Sequence, residues 1–72
     1  MKFILAISKY HHDIKEGLII DDYIWLNIET IAEIGNDGYS PKTFIRTTLG
    51  KTYYYNDEPT KLVVDIEERF GK

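Results

Sequence analysis

Apolar positions along the chain come in short runs separated by polar punctuation, and the spacing within each run predicts the element it forms. Residues 2–8 (KFILAIS) are rich in β-formers and predict a short strand buried on at least one side. The polar stretch 9–17 (KYHHDIKEG) closes on Gly17 and predicts a turn with solvated histidines. Apolar content resumes in 18–28 (LIIDDYIWLNI), with Leu18, Ile20 and Tyr23 on one face and Asp21-Asp22 breaking or bulging the run. Ile24, Leu26, Ile28, Ile31 and Ile34 do not keep a period of two. Asn27 and Thr30 therefore predict a side-chain-bonded kink, followed by a strand through Ile31–Gly35.

The loop 36–42 (NDGYSPK) combines Asn, Asp, Gly and Pro and is the longest expected exposed connection of the second half. Residues 43–56 (TFIRTTLGKTYYYN) hold two runs of Thr, Ile, Phe and Tyr that meet at Leu49-Gly50, which predicts a hairpin. The last segment carries helix punctuation at both ends. Asp57 or Glu58 precedes Pro59 at the first helical position, and Gly71 follows the last apolar residue. Leu62, Val63, Ile66 and Phe70 recur at spacings of three and four, which predicts one apolar stripe. Each element has a single face to hide, so the expected fold is α+β: one small antiparallel sheet of four to five strands with one C-terminal helix on one face, as a single domain over residues 1–72.

The triplet Tyr53-Tyr54-Tyr55 makes this arrangement informative, because a strand sends successive side chains to opposite faces. The pairing with more apolar content places Ile45, Tyr53 and Tyr55 under the helix and turns Phe44 and Tyr54 outward beside Arg46. No second helix follows to cover that side. Phe44, Arg46 and Tyr54, with Trp25 as a candidate fourth, are therefore the expected partner-binding residues, since Trp, Tyr and Arg are the usual anchors of contact surfaces. The alternative is that these rings only pack across strands on a solvated face. The opening strand is a candidate exposed edge able to extend pairing to a second copy or a partner.

Composition narrows the choice of function. A chain of 72 residues buries only roughly 60% of its unfolded surface, and with no cysteine it has no disulfide or thiolate zinc site to supplement that core. Self-association is the expected supplement. The net charge of −3 argues against a nucleic-acid binder, although Lys42, Arg46 and Lys51 with Phe44 and Tyr54 would make a stacking platform for one.

His11-His12-Asp13 is the only cluster with metal-ligand chemistry and would need Asp21 or Asp22 to complete a site, so no metal is expected. Two serines, two histidines, and adjacent carboxylates that diverge in direction give no catalytic constellation. No cofactor motif is present, since Gly35 and Gly38 lack the ending and the helix of a phosphate loop. The apolar run at residues 1–8 is too brief for a signal-peptide core, and no stretch approaches the roughly 20 apolar residues that span a bilayer. Cytoplasm is the expected location, with no membrane partner.

Residues 25–70 hold an aromatic-Leu-Asn step at Leu26-Asn27, an Ile-Glu-x-Ile strand between Ile28 and Ile34, a Gly50-Lys51 hairpin turn and a short helix at Lys61 to Phe70. This order resembles the FlbD-type flagellar and swarming-motility proteins over about two thirds of the chain. Segment 8–20 is longer than that family's usual first hairpin, and segment 36–42 is an insertion. The same half is similar to the later strands of LytTR-type DNA-binding domains, and small phage proteins share the layout. The resemblance implies fold more than function. The expected function is a non-enzymatic interaction module, bacterial or phage-encoded. It would form a homodimer or dock a host or cellular protein through the open face of its sheet, with nucleic-acid binding through the same patch as the alternative.

Overall fold

The computed structural model describes residues 2–71. Five strands run in chain order as β1 (Phe3–Asp13), β2 (Gly17–Asn27), β3 (Ile31–Gly35), β4 (Thr43–Thr47) and β5 (Thr52–Tyr55), followed by one helix, α1 (Pro59–Phe70). All pairings are antiparallel, and the spatial order is β2-β1-β5-β4-β3. The architecture is the α+β layout expected from the sequence, with α1 on one face and no helix on the other.

The first strand is longer than its apolar run. β1 continues through His11 and His12, which pair with Ile19 and Leu18, and the turn shrinks to Ile14–Glu16. The expected turn at 9–17 is corrected accordingly: backbone pairing with β2 carries the polar residues as strand, and polarity alone did not mark the boundary. Asp13 closes the turn by accepting from the backbone N–H groups of Lys15 and Glu16, both at 2.9 Å, and these two bonds hold its carboxyl below the usual range. The irregularity expected at Asp21-Asp22 is present. Ser8 on β1 and Asp21 on β2 are each skipped by the register, so two offsets bend the hairpin and cancel.

Position in the sheet also differs from expectation. The edges are β2 and β3, whereas β1 lies inside, between β2 and β5. Strand order depends on which distant segments pair, and the local pattern of 2–8 holds no information on that. The kink at 27–30 forms as a 3-10 turn over Ile28–Thr30, where the Asn27 side chain accepts from the Glu29 N–H at 3.0 Å. The β4–β5 hairpin forms as expected, with Gly50 at φ +84° in its turn.

Ile4, Ala6, Leu26, Ile45 and Leu62 form the buried core, with Ile24, Ile34, Tyr53, Tyr55, Ile66 and Phe70 packed around it. On α1, Leu62, Ile66 and Phe70 make the inward stripe. Val63 does not join it: it is 40% exposed, as is its neighbour Val64 at 44%, because the helix turns its Leu62–Ile66 line squarely onto the sheet. Beside Ile45, β4 sends Thr43 and Thr47 to the same side, and both are satisfied, Thr43 donating to the Asp57 carbonyl and Thr47 bonding the Lys51 backbone.

A core this small concentrates stability in few side chains. Leu62→Ala should cost about 2–5 kcal/mol, a large share of what a chain of this length holds. Val63→Ala should change stability by about 0.5 kcal/mol or less, as expected of an exposed position. Urea unfolding of the two variants checks the assignment of the helix face, and equal losses would contradict it.

Candidate functional site

Residues directly opposite in an antiparallel pair share a face, so the register defines what lies on the side without a helix. Tyr23 pairs with Ile7, Ile7 with Tyr54, Tyr54 with Phe44, and Phe44 with Gly35, one residue from each strand in turn. This row crosses the whole sheet. One row over on β1 and β2 stands the pair Leu5–Trp25, and on the other side stand Arg46 and Glu33. Tyr53 and Tyr55 sit on the helix side, and Tyr54 is the odd ring that faces away.

Phe44 and Tyr54 are partly buried, because the face shelters its own upper part. The Tyr10 ring meets Tyr54 edge-on at 5.0 Å, and His12 meets Tyr10 at 5.7 Å. The double offset at Ser8 and Asp21 allows this, since it returns Tyr10 to the face that Ile7 occupies. His12 also bonds the Ser40 carbonyl through Nε2 at 3.0 Å, which ties the first hairpin to the loop 36–42. Burial first, then Tyr10 and Asp37 nearby, push the Tyr54 hydroxyl above its ordinary value. Phe44 lies against Gly35, where a Cβ would stand 2.6 Å from the ring, and carries the Arg46 guanidinium 5.3 Å from its centroid. Arg46 pairs with Glu33.

Trp25 is set apart from that group. It lies on β2, three strands from Phe44, at about 4.8 Å per strand. It is 63% exposed, with Tyr23 (50%) and Leu5 (42%) beside it. The four residues singled out in the sequence all lie on the open face, but they form two neighbourhoods: a sheltered Phe44–Tyr54–Arg46 group and an exposed Trp25 group. Sequence reading missed Leu5 and Tyr23. The alternation Tyr23-x-Trp25 was the available signal, and the β1–β2 register needed to add Leu5 was not.

The polar chemistry lies elsewhere. His11 pairs with Asp21 at 2.8 Å, and among the described residues no three His, Cys, Asp or Glu side chains gather as a metal site. Tyr55 donates to Asp65 Oδ2 at 2.7 Å, and Lys61 donates to the same carboxylate at 2.9 Å. Burial, then the bond to Asp65, push the Tyr55 hydroxyl up to about 12. The Tyr55 and Lys61 bonds hold the Asp65 carboxyl below its usual range. Both shifts move the groups away from neutral pH, whereas proton transfer calls for values near it. No helix among the described residues is long and apolar enough to cross a membrane. Comparison of the chain with protein-family models, with curated proteins and with solved structures gave no match.

The Tyr55–Asp65 bond fixes α1 to the sheet, and its pH signature follows from the two shifts. A raised tyrosine value stabilises the native state below pH 10 and is lost as pH climbs through about 12; a lowered aspartate value stabilises above about pH 4 and is lost as pH falls. Tyr55→Phe should cost about 1 kcal/mol at neutral pH. It should also flatten the stability change between pH 10 and 12 relative to the parent and raise the Asp65 carboxyl toward 3.8 in an NMR titration. An unchanged Asp65 titration would contradict the bond.

Proposed function

We propose that the protein is a non-enzymatic interaction module whose open sheet face pairs with a second copy of itself. The observation that carries this reading is the adjacency of Leu5, Tyr23 and Trp25, three large side chains exposed side by side on a face that no other part of the described chain covers. Ile7 behind them is 2% exposed, and Tyr54 and Phe44 continue the row as a stiff aromatic backing. Interface centres are depleted of charge and enriched in aromatics, and this face has that make-up.

Charge favours a second copy. The chain carries −3 overall, yet the charged side chains in the open-face rows are Arg46 and Glu33, which neutralise each other. Two such faces stack, at the ordinary sheet separation of about 10 Å, without bringing like charges together. Burial of the face also supplements a core of five buried side chains, Leu62 among them. Arg46 and Lys42 are both ion-paired, to Glu33 and Glu58, which leaves Lys51 as the one cation of the basic trio without an ion pair among the described residues and weighs against the nucleic-acid alternative. The resemblance to FlbD-type proteins belongs to the same proposal, supported by the strand, hairpin and helix order between Trp25 and Phe70, as does a cytoplasmic setting.

Size-exclusion chromatography with light scattering tests the pairing. The parent chain should run at dimer mass, and Trp25→Ala with Tyr23→Ala should raise the dissociation constant about 30-fold or more. Val63→Ala, on the opposite side, should leave it unchanged. A parent that stays monomeric at millimolar concentration would overturn the proposal, and so would a dimer weakened only by Val63→Ala.

A further inference from the structure

β1 is an interior strand, but one of its sides is only part filled. The Ile28 N–H donates to the Lys2 carbonyl at 3.0 Å, so the backbone polar groups of Lys2 point toward β2. Strand alternation sends those of Ile4 and Ala6 the same way, and those of Phe3, Leu5 and Ile7 toward β5. Ile7 meets Tyr54 there, and that is the one paired position between the two strands. β5 ends at Tyr55, Asn56-Asp57 form a bend, and the chain turns into α1 at Pro59. Among the described residues, no backbone or side-chain group bonds the N–H and C=O of Leu5 on that side.

The gap left by β5 has depth. On the helix side it is a cleft of about 390 Å³ between Ile4 and Leu5 on the strand and Leu62, Asp65 and Glu68 on the helix. On the open-face side it continues as about 300 Å³ beside Tyr23, Asn56 and Asp57, and both parts are bordered by Leu5 and Tyr55. Three carboxylates border it, Asp57, Asp65 and Glu68, with Arg69 beside them and Lys61 and Tyr55 already bonded to Asp65. Glu68 has no ion pair among the described residues.

We propose that this gap takes an extended peptide segment of a partner protein, which pairs antiparallel with Phe3–Leu5 and continues the line of β5. Unpaired backbone donors and acceptors beside an apolar floor are what strand addition uses, with the backbone giving affinity and alternate side chains giving selectivity. The segment's residue opposite Ile4 faces the helix. A lysine or arginine there lays its stem along Ile4 and Leu62 and its charged head at Glu68. The residue opposite Leu5 faces the open side and is apolar. Site and occupant are separate from the pairing of two copies, apart from Leu5 and Tyr23, which border both.

An NMR titration of the full-length ¹⁵N-labelled chain with acetyl-Thr-Val-Lys-Val-Thr-amide tests the assignment. The largest shifts should fall on the amides of Phe3, Leu5, Tyr55 and Glu68 and should saturate at millimolar peptide. Methylating both valine nitrogens should abolish them, and Glu68→Lys should weaken binding about five-fold or more, equal to roughly 1 kcal/mol. Shifts confined to β2 or β3, equal binding of the methylated peptide, or no shift at 3–5 would each overturn the proposal. Movement of the 3–5 amides with protein concentration alone would give the gap to a second copy and overturn it too.

Discussion

One backbone pair, Ile7 with Tyr54, joins the two halves of the sheet, and most of the molecule's character follows from it. On one side of this seam stands the long β1–β2 hairpin, and on the other the β3–β4–β5 meander. A single ladder position is a weak joint, so the core must hold the halves together. It does so by bringing Ile4, Ala6 and Leu26 from one half and Ile45 from the other onto Leu62. Tyr55, bonded to Asp65, adds a polar fastening at the place where the seam stops. The same pair orders the opposite face, because Ile7 and Tyr54 are the middle of the row that runs from Tyr23 to Gly35.

A short seam also explains where the surface is unfinished. Had β5 run two residues further, Asn56 would stand opposite Leu5, and the gap beside Ile4 would close. The chain instead leaves the sheet to reach Pro59, which lets α1 begin close to the strand it covers. With only one α-helix among the described residues, the second face depends on its own side chains for cover. Tyr10, His12 and the loop 36–42 shelter the Phe44 and Tyr54 end, and nothing in the described residues does the same for Leu5, Tyr23 and Trp25.

Elements governed by neighbours in sequence were legible. Pro59 and Gly71 marked the helix, Gly50 marked the hairpin, and the period of two along Thr52–Tyr55 decided which tyrosine faces away. What depended on distant pairing was not legible. His11 and His12 are strand because β2 lies beside them, and β1 is interior because β5 returns to it. Val63 fell at helical spacing from Ile66 but on the wrong side of the stripe, a distinction only the packing angle of α1 makes. The candidate surface shows the same division. Phe44, Arg46 and Tyr54 were placed on the correct face by alternation, with Trp25 only a candidate beside them, while the bulge that brings Tyr10 over Tyr54, and the register that sets Leu5 beside Trp25, moved its exposed centre from Phe44 to β2.

That centre contains the chain's single tryptophan, so a contact between copies there would report on itself. Intrinsic fluorescence of the parent chain, followed across a concentration series at constant ionic strength, measures whether Trp25 leaves water when copies meet. If copies meet through the open face, the emission maximum moves to shorter wavelength as concentration rises, with a midpoint that matches the mass transition. An emission maximum that stays at the position of a water-exposed indole, up to concentrations where the chain is fully associated, would show that the open face is not where copies touch.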